Sequence, residues 1–294
     1  METMEKTDGG QLGRLKHIAL RTIIIYCLIA FAIFAIFKLL MAWADPAEDL
    51  NSALDSTESV PTETCNVYGI NLHGEVITYK APGDMGEFTD SDVVDSEYII
   101  ELVSEAKRND NVKAVVLEID SYGGSPVAGE EIFNVLKDFG KPSVAMIRSV
   151  GASAAYMAAI GADRIIASKF SDVGSIGVTM SYLDNIQKNI KEGRTYNSLS
   201  TGKYKDMGDP DKPLTVEEKA LIMRDLQISH NNFVKMVAEN RNLELSKVEK
   251  LADGSSMPGE MALQNGLIDE IGSYKEVSDY LREKIGAEPV YCWQ

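Results

Sequence analysis

Two short segments carry residue types whose spacing suits acyl-transfer chemistry. The first, Ser149-Val150-Gly151-Ala152-Ser153-Ala154-Ala155-Tyr156, sets a serine among small residues. Small neighbours let a strand turn tightly into a helix and leave the hydroxyl exposed at the helix start, the logic of a nucleophile elbow, although GxSxG itself is absent. The same pattern suits a close-packed helix in which Ser153 only caps the first turn. The second segment, Asp120-Ser121-Tyr122-Gly123-Gly124-Ser125-Pro126, places consecutive glycines before a helix. Gly123 and Gly124 let backbone N–H groups approach a ligand closely, and a helix start adds partial positive charge. That arrangement suits an oxyanion hole and equally suits an ordinary turn between strand and helix. Neither GxxxxGK[ST] nor GxGxxG lies near it, so it is not a phosphate cradle.

A nucleophilic serine needs a base, and the chain holds only three histidines. His17 precedes a long apolar run, His73 falls in a strand, and His230 falls within a long helix, where a packed or solvated role is expected. A Ser-His-Asp triad is therefore poorly supported. Lysine is the remaining option: its reference pKa of ~10.4 must fall several units, through burial, before the amine accepts a proton near neutrality. Ser-Lys pairs are known variants of the triad. The candidate stretch is Ser198 to Pro210, where local pattern does not choose between Lys203 and Lys205. Three cysteines and three histidines, unclustered and without CxxC or HExxH, exclude a zinc site of usual spacing, so no metal and no cofactor is expected.

The elements that must position these residues alternate between short apolar runs and helical periods. Residues 65–78 alternate like a strand, 91–108 read as an amphipathic helix, and 113–119 as a buried strand. A helix over 126–139, a strand over 142–147 and a short helix from about 153 follow. Strands are expected at 164–167 and 174–180, then a helix from about 181. Beyond Pro213 the sequence reads almost wholly helical, at 215–241, 246–252, 258–265 and 274–285. This is an α/β pattern with both faces of the sheet covered.

The rest of the chain bounds the setting. There are 29 Lys plus Arg against 45 Asp plus Glu in 294 residues, a formal charge of −16. Such acidity argues against a nucleic-acid partner. Residues 22–43, TIIIYCLIAFAIFAIFKLLMAW, hold one charge, Lys38, near enough to the end to snorkel, and predict one transmembrane helix in the lipid bilayer. Arg14, Lys16 and Arg21 precede it, whereas Asp45, Glu48, Asp49, Asp55, Glu58 and Glu63 follow it. The positive-inside rule then leaves residues 1–21 as a cytoplasmic stub and exports the remainder. Ala42-Trp43-Ala44 also matches a signal-peptide cleavage site, but the apolar run exceeds such a peptide's core, so a retained anchor is expected. Residues 44–64 are acidic and rich in Ser, Thr and Pro, an expected flexible tether. Residues 65–294 form the expected folded domain. Cys65 and Cys292 mark its two ends; an oxidising compartment permits a bridge, and the sequence leaves it open.

Together these segments resemble the signal peptide peptidase A (protease IV) family in its short, single-domain form, over nearly all of residues 67–285. Asp120-Ser121-Tyr122-Gly123-Gly124 resembles the family's N-S-P-G-G loop, and Ala152-Ser153 followed by Tyr156 resembles its A-S-G-G-Y segment. Gly174-Ser175-Ile176-Gly177-Val178 resembles its G-S-I-G-V strand, and Gly202 through Pro210 its G-x-x-K-D segment ending in S-P. The resemblance implies a crotonase-like, ClpP-like α/β fold of repeated ββα units with a helical C-terminal portion. It implies Ser153 as nucleophile and Lys205, directly before Asp206, as general base, with Lys203 at a position the family does not fix. Ser175 matches the serine that orients the lysine, and the N–H groups of Gly124, Gly123 and Ala154 match the oxyanion hole.

The same resemblance implies a homo-oligomer, a ring or octamer-like dome, with serine and lysine from one protomer or from neighbours. It implies peptide substrates, cleaved signal peptides foremost, at the outer face of the cytoplasmic membrane. Ala154-Ala155 for the family's Gly-Gly bears on substrate fit, and Tyr122 for its Pro on the cleft rim. Asp206 is an awkward neighbour, since a carboxylate touching Lys205 holds the amine charged. Met157, Ile160 and Met180 suit either bound aliphatic side chains or the core. Three rivals share the pattern: acyl-CoA hydratases and isomerases of the same fold, disfavoured by the exported topology; a stomatin-operon-type membrane protease; and a non-catalytic membrane scaffold.

Overall fold

The computed structural model describes residues 34–36, 38, 65–80 and 93–294. The chain divides into two units, Met1–Thr62 and Glu63–Gln294. In the first, Phe34, Ala35, Ile36 and Lys38 are helical. The rest of the expected span 22–43, and the expected tether 44–64, lie outside the described residues. Among the described residues no helix is long and apolar enough to cross a membrane.

In the second unit β1 (Val67–Ile77) and β2 (Val93–Asp95) precede helix α1 (Ser96–Arg108). Asp95 sets the start of α1 by accepting the Tyr98 N–H at 2.8 Å, and Lys107 and Arg108 sit where the helix dipole favours cations. There follow β3 (Ala114–Gly124), α2 (Pro126–Lys137), β4 (Ser143–Ala152), α3 (Ala154–Ala159), β5 (Arg164–Ala167), β6 (Asp172–Gly174) and α4 (Ile186–Lys191). The remainder is α5 (Val216–Asn240), α6 (Leu245–Leu251), β7 (Ser256–Pro258), α7 (Gly259–Asn265), β8 (Glu270–Ile271), α8 (Tyr274–Ile285) and β9 (Tyr291–Trp293).

Among the described residues these strands form one sheet, with the order β2-β1-β3-β4-β5-β8 and parallel pairing throughout that path. β9 joins β1 in parallel, β6 joins the end of β4 in parallel, and β7 pairs antiparallel with β6. Strand side chains alternate between faces. Val115, Leu117 and Ile119 of β3 therefore join Ile99, Ile132, Tyr156 and Phe233 in the larger core. Ala114 and Val116 meet Val277 and Leu281 of α8 in the smaller one. Covering on both faces explains why the central strands read as continuous apolar runs. Cys65 and Cys292 are bridged, with Cα atoms 5.7 Å apart across 227 residues of sequence.

Several expected boundaries shift for identifiable reasons. The strand expected over 113–119 runs on to Gly124, so the glycine loop is the end of β3: Gly123 and Gly124 pair with Glu75 and Val76 past a register irregularity. The helix expected from 91 begins at Ser96, behind the short β2. The strand expected over 174–180 ends at Gly174, and the helix expected from about 181 is confined to α4. The stretch after Pro213, read as helical, also contributes β7, β8 and β9. A ββα order occurs at β1-β2-α1 and at β5-β6-α4; between them strands and helices alternate singly.

Candidate active site

Ser153 stands between β4 and α3 with φ +53° and ψ −124°, a backbone conformation that side-chain-bearing residues rarely adopt. The surrounding bonds hold it there. Its N–H donates to Gly174 O of β6 at 2.8 Å, and its carbonyl accepts the Met157 N–H at 2.9 Å. No side-chain cap bond involves its hydroxyl, so the capping role open to it in the sequence is not taken. Tyr156, fully buried, donates its hydroxyl to Leu267 O at 2.7 Å and fixes α3, and burial pushes its phenol pKa well up. Ser153 is thus presented on a strained turn between a central strand and an anchored helix.

The end of β3 lies beside it. Asp120 accepts the Ser149 hydroxyl at 3.1 Å and the Val150 N–H at 3.2 Å, tying the two chemistry-bearing strands together. Buried Ser121 donates to Gly74 O at 2.5 Å and accepts the Gly123 N–H at 3.0 Å. Gly123 has φ +103°, and a Cβ on it would stand 2.8 Å from Ser153 Cβ. A Cβ on Gly124 would stand 2.2 Å from Val76 O. Both glycines are demanded by close approach.

A cavity of about 420 Å³ opens over this junction. Ser153, Ala154, Gly124 and Met157 line it from the strand ends and α3, and Ser175, Gly177, Val178 and Thr179 from the segment after β6. His230 and Phe233 of α5, with Ala252, Asp253 and Gly254, complete it. Ser175 also has a positive φ, +49°; its hydroxyl donates to Gly254 O at 2.9 Å, and its N–H to Ser255 O at 3.1 Å. Asp253 accepts the Ser255 hydroxyl and N–H, which holds its carboxyl below the usual range and keeps a negative charge on the wall.

Of the expected site residues, Ser153, Ser175, Gly124 and Ala154 share this cavity, and Gly123 backs Ser153 with its N–H given to Ser121. Lys205 is not among the lining residues: it lies with Lys203 on the exposed turn at 201–208, its N–H donating to Gly202 O at 3.1 Å. Lys203 places its amine 5.0 Å from the centre of the Tyr204 ring. Met157 lines the cavity, Ile160 is buried in the core, and Met180 is 54% exposed. His230, expected to be a packed or solvated helix residue, is a half-buried residue of α5 and also lies on the cavity wall. Its signal was present, since it precedes buried Phe233 and Val234 by three and four residues and so shares their face of α5. Asp253 carried no comparable local signal. His73 meets Glu118 at 3.1 Å and is not among the lining residues. Among the described residues no cluster of three or more His, Cys, Asp or Glu is placed to hold a metal ion.

The segment carrying Lys205 has its own polar network. Asp206 accepts Ser198 Oγ at 2.5 Å, the Tyr196 hydroxyl at 3.2 Å and Lys212 Nζ at 3.0 Å. The hydrogen bonds from Ser198 and Lys212 hold its carboxyl pKa down to about 2. Lys212 also reaches Glu218 at 2.7 Å, and Glu218 forms a capping box with Thr215 at the start of α5.

Residues 135–288 match the model of peptidase family S49. A protein of Methanocaldococcus jannaschii, named provisionally as a protease, is 37% identical over 191 residues, covering 64% of this chain and 61% of that one. A protein of Enterococcus faecium, named provisionally as signal peptide peptidase SppA, is 33% identical over 176 residues, covering 59% and 51%. The chain thus matches between half and two thirds of the length of these relatives. Among solved structures, a ClpP1 mutant from Listeria monocytogenes is similar with a TM-score of 0.46 and 12% identity, covering 71% of this chain and 92% of that one.

Proposed function

Since the chain belongs to peptidase family S49, we propose that it is a serine endopeptidase in which Ser153 attacks a peptide carbonyl and Lys205 is the base. The observation that carries the reading is the strained Ser153 beside Gly124, Ala154 and Ser175 in one cavity. The Lys205 amine takes the Ser153 proton as Oγ bonds to the carbonyl carbon, and the N–H groups of Gly124 and Ala154 receive the oxyanion. The ammonium then gives its proton to the leaving amine, and water hydrolyses the serine ester. Ser175 spends its hydroxyl proton on Gly254 O, so its lone pairs are left to accept an N–H from the lysine and turn that nitrogen's own lone pair toward Ser153.

In this reading Lys205 reaches Ser153 from a neighbouring protomer of a ring-like homo-oligomer. Support comes from the 180–200 segment, where Leu183 is 90% and Leu199 fully exposed, apolar surface suited to cover by another copy. Residues 22–43 anchor the chain in the cytoplasmic membrane, 44–64 tether it, and 65–294 work outside on apolar or unfolded peptides, cleaved signal peptides among them. The Cys65–Cys292 bridge supports the oxidising side.

Mixing inactive proteins tests the dyad. Ser153→Ala and Lys205→Ala are each expected to abolish casein hydrolysis, and their mixture to regain part of it, whereas Lys203→Ala stays active. One observation favours a second reading: His230 is the imidazole that lines the cavity. If His230→Ala is dead while Lys205→Ala retains full activity, histidine is the base and the lysine reading is lost.

A further inference from the structure

The carboxylate next to the proposed base is already occupied. Asp206 receives Lys212 Nζ on Oδ1 and both Ser198 Oγ and the Tyr196 hydroxyl on Oδ2. Tyr196 is shared with Asp209 at 3.2 Å, and Lys212 with Glu218, which is only 2% exposed. Among the described residues no hydrogen bond or ion pair engages the Lys205 side chain, although it adjoins Asp206 in sequence. A lysine with a carboxylate partner stays protonated, and a protonated amine accepts nothing.

We infer that Lys212 is a positioning residue for the proposed reaction: by occupying Asp206 it leaves the neighbouring Lys205 amine without a carboxylate partner and free to act as the base. The inference rests on Lys205 being that base. Lys212 joins the base-bearing turn to the start of α5 through two carboxylates, with Ser198 and Tyr196 closing the clasp from the other side. The other charged or titratable groups on this turn and on the start of α5 are Lys203, Tyr204, Asp209, Asp211, Glu217 and Lys219. Removal of the Lys212 charge leaves Asp206 uncompensated, and the nearest cation in sequence to recruit is Lys205.

The full-length chain, assayed on fluorogenic casein across pH, separates positioning from mere support. Lys212→Met is expected to lower kcat/KM about tenfold near neutrality and to move the acid limb of the pH–rate profile up by about one unit, as a new opposite charge beside a base requires. Adding Asp206→Asn to Lys212→Met should return the limb to its parental position, and Lys212→Arg should keep it there. An acid limb that does not move in folded Lys212→Met, whatever the overall rate, overturns the inference. Should Lys212→Met not fold, Asp206→Asn alone decides: an acid limb unmoved supports the clasp, and one displaced about a unit downward shows that Asp206 engages Lys205 in the working enzyme. Lys205→Met, run in parallel, isolates the underlying reading. Retained activity there removes the base itself, whereas an inactive Lys205→Met beside an unshifted Lys212→Met removes only the clasp.

Discussion

A single methyl group measures how closely the nucleophile is held. At Gly123 the backbone has φ +103°, and an added Cβ would come within 2.8 Å of Ser153 Cβ and 2.9 Å of Ala152 O. Neither neighbour yields, because Ser153 is itself fixed by Gly174 and Ala152 lies within β4. Backbone strain and overpacking together predict that Gly123→Ala costs about 2–4 kcal/mol of stability. Activity should fall by about two orders of magnitude, since small misplacements of a reacting group are that expensive. A thermal melt and kcat/KM on casein check both, and a variant that melts and cleaves like the parent would show the junction to be slack. The glycines and Ser153 were legible as a pattern of small residues, and Ser175 entered through resemblance. His230 does lie within its expected helix, but its place on the cavity wall was not legible, because a polar residue on an apolar helical stripe reads as packing until a cavity is seen beside it. Lys205 remained one of two lysines by local pattern, since spacing along a turn says nothing about which amine meets a serine far away in sequence.

The turn bearing Lys205 and the start of α5 are joined by charges whose behaviour in acid can be worked out. Hydrogen bonds from Ser198 and Lys212 depress the Asp206 carboxyl from 3.8 to about 2, and Lys212 and Thr215 lower that of Glu218. A depressed carboxyl adds stability above its unfolded pKa and loses it as pH falls through the folded one. The clasp should therefore hold at pH 5 and above, and open progressively from about pH 4 to about pH 2. Pepsin digestion mapped at pH 4.5 and again at pH 2.5 should gain cuts within residues 196–212 at the lower pH, ahead of cuts in β3 and β4. Equal protection at both values would mean that these ion pairs do not hold the turn. The central strands were readable because burial on both faces makes each of them a continuous apolar run. β5 and α8 fall on their expected residues. The short strands β6, β7 and β9 take their conformation from distant partners, Ala152, Gly174 and Val67 among them, and no local period announces that.

Across the whole folded unit, one covalent bond spans 227 residues and ties β9 to the start of β1. Cys65 lies just before β1 and Cys292 within β9, a strand of three residues that pairs with Val67, Tyr68 and Gly69. Trp293 covers Gly69 so closely that any side chain there would strike its ring, and it meets Tyr274 edge-on and Tyr291 face-on. Tyr274 continues inward to Glu118 and Arg148, so the C-terminal strand is fastened to β3 and β4 by packing and polar contacts as well as by sulfur. A bridge closing so long a loop acts chiefly on the unfolded chain and contributes about 2–4 kcal/mol. Reduction should therefore lower the melting midpoint by roughly 5–10 °C for a domain of this size. Casein hydrolysis at 25 °C should be unchanged, because neither cysteine lines the cavity and β9 keeps its aromatic fastening. Calorimetry with and without reductant, repeated on Cys65→Ser with Cys292→Ser, tests this. A midpoint that reductant does not move would make the bridge energetically idle, and activity lost at 25 °C would show that β9 depends on sulfur to stay on β1.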